Sequence, residues 1–148
     1  MTESIFFQYG YAGLFAVSFL SATLLPLASE AFVALMPGAG YNIWWVLIFA
    51  TVGNFLGSLT NYFIGKWGSN FVLARFVRTD EKKMQRAKEL FSRWGTPVLF
   101  FSWIPIIGDP LTVVGGIMDI RLTTFTLWVL SGKVLRYLII LSLVQFVV

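Results

Sequence analysis

Pro26-Leu-Ala-Ser-Glu30 and Pro105-Ile-Ile-Gly-Asp109 are one device written twice: a proline inside a charge-poor apolar stretch, followed four residues later by a lone carboxylate. Set over one another at an offset of 79 residues, the two halves also align Gly53-Asn54 with Gly132-Lys133, each glycine lying 23 positions past its acid. The chain therefore reads as two diverged copies of one unit. Apolar segments interrupted by proline or glycine at corresponding places in two halves are what a membrane transporter with discontinuous helices looks like in sequence. An acid inside such a segment is by default a functional-site hypothesis.

Composition points to a bilayer. Of 148 residues, 57% are apolar and only 12% charged, outside the range of a soluble globular domain. No charge occurs from Ser4 to Ser29 or from Ala31 to Gly65, and each run exceeds the roughly 20 residues that cross about 30 Å of hydrocarbon. The first run has neither a basic region before it nor a clean small-residue cleavage site after it, so it is expected to be retained rather than removed as a signal peptide. Cysteine and histidine are absent, which excludes disulfides, thiol chemistry, imidazole acid–base catalysis and zinc sites built on either residue. No metal or other cofactor is expected, and an enzyme is a distant reading resting on two carboxylates alone. Eight of the eleven basic groups fall between residues 66 and 93, against three acids. That bias marks a cytoplasmic segment by the positive-inside rule, and not a nucleic-acid patch.

The expected fold is an all-α integral membrane protein of two pseudo-repeats. Each repeat is a re-entrant helical hairpin followed by a transmembrane helix, with an amphipathic cytoplasmic helix between the repeats. Residues 1–65 hold the first hairpin and span, 66–94 the basic segment, and 95–148 the second hairpin and span. Residues 5–25 are long enough for a full crossing or for the first arm of a hairpin that turns near Pro26 and returns through Ala31 to Met36. Residues 96–118 repeat the arm, proline, acid and return arm in about 23 residues, too few for two helical crossings. Both hairpins are therefore read as re-entrant, sheathed by spans at Ile43 to Gly65 and Leu122 to about Phe146. With the basic segment inside, the two units have opposite orientation and both termini lie outside; a full crossing by residues 5–25 would instead put the N-terminus inside. Between them, Asp80 is placed to cap a helix starting at Glu81 and ending at Gly95. Its stripe of Met84, Ala87, Phe91 and Trp94 is expected to lie on the headgroups.

Glu30 and Asp109 carry the candidate chemistry. A carboxylate at membrane depth must be paired, protonated or hydrated, and each of those states suits a proton-responsive group. A plainer role is to cap the return arm. Lys133 and Arg136, three apart on the last span, share a helix face, and two cations there balance two acids. Either head could alternatively snorkel to an interface. Asn54, Ser58 and Asn61 form a polar stripe on the other span, beside Gly53 and Gly57, as close helix packing requires. Trp44, Trp45, Trp103 and Trp128 read as interface belts or core.

These residues resemble the DedA family of membrane proteins, also called the SNARE-associated or VTT-domain superfamily. Typical members carry a first motif Pro-x-Pro-[Gly/Ser]-Glu and a second like Phe-x-x-Arg-[Phe/Trp]-x-Pro-x-x-Arg. Here Pro26, Ser29, Glu30, Trp103 and Pro105 keep the pattern, Ala28 replaces the second proline, and Ser102 and Gly108 stand where arginines are usual. The small YqaA-like branch is more similar, through Ser18 to Pro26, Gly53-Asn54, Leu59-Thr60-Asn61, Ser102-Trp103-x-Pro105-x-x-Gly108-Asp109 and Gly132-Lys133-x-Leu135-Arg136-Tyr137. The resemblance implies a bacterial inner-membrane protein with two facing re-entrant hairpins. It also implies proton-motive-force-dependent movement of lipid carriers such as undecaprenyl phosphate, or phospholipid scrambling.

The expected function is proton-linked translocation of a lipid through a polar cleft. Glu30, Asp109, Lys133 and Arg136 are its working groups, Pro26, Pro105 and Gly108 its turns, and Asn54, Asn61 and Ser102 its lining. The partners are membrane lipids and protons. Two alternatives are a proton-coupled exporter of small hydrophobic cations and a non-transporting envelope-assembly protein acting through Lys82, Lys83 and Arg86. A homodimer would help to sheath two broken hairpins in so small a chain.

Overall fold

The computed structural model describes residues 2–22, 28–68, 81–104 and 107–147. Every regular element among them is helical. In chain order these are α1 (Thr2–Ser21), α2 (Ala28–Leu35), α3 (Ile43–Trp67), α4 (Glu81–Trp94), α5 (Gly108–Ile117) and α6 (Leu122–Val147). A short 3-10 turn at Pro37–Ala39 follows α2, and a 3-10 segment at Thr96–Trp103 follows α4. Pro26, Pro105 and Asp80, expected at the two turns and at the start of α4, lie outside the described residues.

The long helices match the expected spans. α3 has 25 residues with a mean hydropathy of 1.5, and α6 has 26 with a mean hydropathy of 1.8. At 1.5 Å per residue each extends about 38 Å, more than the hydrocarbon thickness. Leu127, Leu135, Ile139 and Leu143 project exposed from α6, as side chains do when lipid rather than water surrounds the helix. Asn42 starts α3: its side-chain oxygen accepts the backbone N–H of Trp44 at 2.9 Å, satisfying a donor that the first turn leaves free.

Two compact units divide the chain. One comprises Met1–Gly57 with Lys133–Val148, the other Ser58–Gly132, so that each takes part of both long helices. The core of the first joins Leu14 of α1, Val33 of α2, Val46 and Ala50 of α3, and Tyr137 and Leu141 of α6. Here α1 and α3 meet at backbone distance, since a Cβ on Gly53 would lie 2.5 Å from the carbonyl oxygen of Phe15. The second unit repeats this close approach: a Cβ on Gly132 would lie 2.1 Å from the carbonyl oxygen of Phe100. Its core holds Leu99, Leu111, Phe125 and Val129, all buried.

The ends of the two return arms are built alike. After α2, the N–H of Gly40 donates to the Pro37 carbonyl and that of Tyr41 to the Met36 carbonyl, with Gly40 at φ 91°. After α5, Asp119 donates to Gly116 and Ile120 to Gly115, with Asp119 at φ 53°. Both are Schellman closures around a left-handed residue. Gly40 and Asp119 stand at the 79-residue offset of the sequence, as do the first residues of α3 and α6. Aspartate tolerates the left-handed region better than most residues, and Lys66 holds its carboxylate at 2.9 Å.

Two expectations need correction. The apolar stripe of α4 does not lie on headgroups: Met84, Ala87 and Phe91 are buried because α4 packs on α5 and on the 3-10 segment, and only Trp94 of the four stays exposed. The arms before the two turns are also unlike, since α1 is a 20-residue α-helix whereas Thr96–Trp103 is 3-10. Gly95, at φ 71°, ends α4, and Pro97 follows immediately, leaving eight residues that 3-10 geometry stretches by about 2.0 Å each.

The backbone contacts predict that Gly53→Val and Gly132→Val each lower unfolding stability in detergent by about 1–3 kcal/mol or more, through overpacking. Gly38→Ala, with open space around it, should change stability by less than about 0.5 kcal/mol. Equal stability of all three proteins would contradict the packing described.

Candidate functional site

The first unit gathers polar side chains that its apolar helices would otherwise have no reason to bury. On α6, Lys133 and Arg136 are three residues apart, and Tyr137 follows on the same side; all three are buried. Arg136 pairs with the carboxylate of Glu30, which sits in the first turn of α2. Their side chains are 9% and 23% exposed, so this is an ion pair held largely out of solvent. Tyr137 and Ser29, the neighbours of Arg136 and Glu30, share a hydrogen bond of 2.9 Å that fixes α2 against α6 a second time. The guanidinium also lies 5.4 Å from the centre of the Tyr137 ring, within cation–π range.

One helical turn away, Lys133 Nζ donates to Asn54 Oδ1 on α3. The amide nitrogen of Asn54 in turn donates to the Ser18 carbonyl at 3.1 Å and to Ser21 Oγ at 3.0 Å, both on α1. Asn54 therefore relays between an ammonium and the backbone of α1, using both ends of its amide. Asn54 and Lys133 are 79 residues apart, the offset that aligns the two halves of the sequence. Burial of both cationic heads among these partners overturns the snorkelling reading, because neither side chain runs outward along its stem.

The second unit holds Asp109, Gly108, Ser102 and Asn61. Asp109 is the second residue of α5, half-buried in its first turn, and its backbone carbonyl accepts the Thr112 hydroxyl at 2.7 Å. The N-cap of α5 is Ile107, with no side-chain capping bond, so Asp109 meets the positive end of the helix without being its cap. Gly108 has a steric cause: a Cβ there would lie 1.8 Å from the carbonyl oxygen of Ser102. No arginine fits at that position while this backbone contact stands, which accounts for one departure from the usual motif. Ser102 and Asn61 are buried. Ser58 Oγ, Ser102 Oγ and Trp103 Nε1 have no hydrogen-bond partner among the described residues.

The structure thus brings Glu30, Asn54, Lys133 and Arg136 together in one unit and Ser102, Gly108 and Asp109 together in the other. Ser18, Ser21, Ser29 and Tyr137 complete the first group; the sequence carried them within matched family segments but gave them no role. Ser18 and Ser21 also stand three apart within an apolar helix, the spacing of one helix face.

Residues 25–146 match the VTT domain family model. The chain is 42% identical over 125 residues to Inner membrane protein YqaA of Escherichia coli (strain K12), covering 84% of this chain and 83% of that protein. It is 28% identical over 137 residues to Undecaprenyl phosphate transporter A of Staphylococcus aureus (strain NCTC 8325 / PS 47), covering 84% and 68%. No solved structure matches.

The buried pair yields a stability test. Arg136→Gln leaves Glu30 buried without its cation and should cost about 3–5 kcal/mol, whereas the double variant Glu30→Gln/Arg136→Gln should recover most of that loss. Strictly additive losses in a double-mutant cycle would mean that the two groups do not interact.

Proposed function

The chain belongs to the VTT-domain family of membrane proteins, and from that premise we propose that it translocates an anionic lipid, a polyprenyl phosphate or a phospholipid, across the bacterial inner membrane in a proton-linked manner. The observation that carries this reading is the Glu30–Arg136 pair, held between two helices, α2 and α6, whose only other charged residue is Lys133. A relative named as an undecaprenyl phosphate transporter supports the substrate class.

The chemistry is an exchange of partners. Protonation of Glu30 removes the counter-charge of Arg136, and the guanidinium then takes two oxygens of a phosphate headgroup bidentately. Lys133, three residues away on the same face, adds a second donor group, while Asn54 keeps it in place. Loss of the proton restores the ion pair and releases the headgroup. Lipid tails remain in the bilayer throughout. Proton and phosphate favour one another's binding in this scheme, and the coupling is reciprocal. It moves the lipid only if the two open forms of the protein differ in their affinity for the proton.

Two re-entrant hairpins in an inverted repeat, with residues 66–94 cytoplasmic, would provide the two open forms. Support comes from the matching Schellman closures and helix starts at the 79-residue offset, and from the hydrogen bond between Asn54 and Lys133. Residues at equivalent positions of two copies meet one another only near the axis that relates the copies. Ser58, Ser102 and Trp103, with polar atoms lacking protein partners, suit a hydrated lining in which Asp109 has the place of a second proton-responsive group. A hydrophobic cation would have to displace Arg136 from Glu30, so the cation-exporter reading is disfavoured.

In proteoliposomes with an imposed pH gradient, wild-type protein should move a fluorescent polyprenyl phosphate, and Glu30→Gln should slow it by about tenfold or more, some 1.4 kcal/mol of barrier. Arg136→Ala should lose movement with or without the gradient. Normal gradient-driven transport by well-inserted Glu30→Gln would overturn the reading.

A further inference from the structure

Three hydroxyls from three helices are enclosed beside the ion pair of the first unit. Ser18 of α1, Ser29 of α2 and Tyr137 of α6 are each 0% exposed. Tyr137 and Ser29 share the 2.9 Å hydrogen bond, in which either oxygen can be the donor. Ser18 Oγ lies within interaction range of the same Tyr137 hydroxyl. It nonetheless makes no hydrogen bond among the described residues. A hydroxyl buried without a partner costs free energy that an alanine would not, and alanine is also the better helix former. The Tyr137 oxygen thus holds one partner and has an unsatisfied one beside it.

The exchange at Glu30 gives the second partner a use. Ser29 precedes Glu30 in the first turn of α2 and Tyr137 follows Arg136 on α6, so hydroxyl bond and ion pair join the same two helices at adjacent residues. Once Arg136 leaves Glu30, the ionic half of that contact is gone. Ser18 belongs to α1, and its backbone carbonyl already accepts Asn54, which holds Lys133. A Tyr137–Ser18 bond would tie α6 to α1 at the residue where the Lys133 relay ends. Arg136 and Lys133 would then stay aligned while α2 is released.

We propose that Tyr137 is a positioning residue for the proton-linked step, its hydroxyl bonded to Ser29 while Glu30 is ionised and to Ser18 once Glu30 takes a proton. The inference rests on the partner exchange at Glu30 and Arg136, and adds the device that sets the pH at which that exchange occurs. Each bond stabilises one state. Losing the Ser29 bond weakens the paired state, so Glu30 takes its proton at higher pH. Losing the Ser18 bond weakens the protonated state, so the proton is taken at lower pH. The charged groups facing Glu30 are the same in both cases: Arg136, and Lys133 on the same face of α6. α2 has no other charged residue, α3 has none within this unit, and α1 has only Glu3, fifteen residues before Ser18.

The test is a pH titration of the Glu30 carboxyl by infrared difference spectroscopy on the protein in nanodiscs, with Glu30→Gln as the blank and no polyprenyl phosphate added. Ser29→Ala should raise the midpoint by about half to one pH unit and Ser18→Ala should lower it by a similar amount, the worth of one hydrogen bond. A hydroxyl that only packs would not give shifts of opposite sign. In a Tyr137→Phe background, which keeps the ring beside Arg136, neither serine change should move the midpoint further. Shifts of the same sign, no shift with Ser18→Ala, or shifts that persist without the Tyr137 hydroxyl would overturn the proposal. Transport by the same variants reads out separately. Opposite shifts without any lipid movement in wild type would leave the hydroxyl exchange standing and remove the transport reading, whereas Glu30-dependent transport with unmoved midpoints would remove the hydroxyl exchange alone.

Discussion

An apolar medium does not tolerate an unmatched charge, and the polar architecture of the first unit follows from that constraint. Glu30 is tolerated in α2 because α6 brings Arg136 to it. The match needs two helices held in register, and the Ser29–Tyr137 hydrogen bond beside the ion pair supplies that register. Removing either charge leaves the other buried at a cost of several kcal/mol, so the pair constrains fold and chemistry together. A group whose partner is essential and whose charge can be cancelled by one proton is also the natural place for a switch.

The departures from the usual family motif fit the same constraint. Where typical members carry arginines in the second hairpin, this chain has Ser102 and Gly108, and the backbone contact at Gly108 leaves no room for a side chain. Lys133 donates to the amide oxygen of Asn54, which is itself anchored on α1.

Much of this was legible in the sequence, and what was not has physical reasons. The bounds of α3, α4 and α6 followed from apolar run length, from the charge block and from Gly95, all of which are local signals. Lys133 and Arg136 were recognisable as one face because helical spacing is local too. Which partner each would find was not, since the pairing depends on how α2 and α3 pack, and the sequence balanced two acids against two cations without choosing. The stripe of α4 was correctly seen as apolar, but periodicity does not say whether lipid or protein covers it. The 3-10 form of Thr96–Trp103 was equally hidden, because its apolar residues fit any helical pitch.

Proton uptake on ligand binding measures the central claim most directly. Adding a short-chain polyprenyl phosphate to the purified protein in weakly buffered detergent solution should draw protons from the medium, as the phosphate takes Arg136 and Glu30 is left to neutralise itself. Glu30→Gln should bind the lipid without that uptake. Lipid binding with the same proton exchange in wild type and Glu30→Gln would contradict the account, because the carboxylate would then take no part in the exchange.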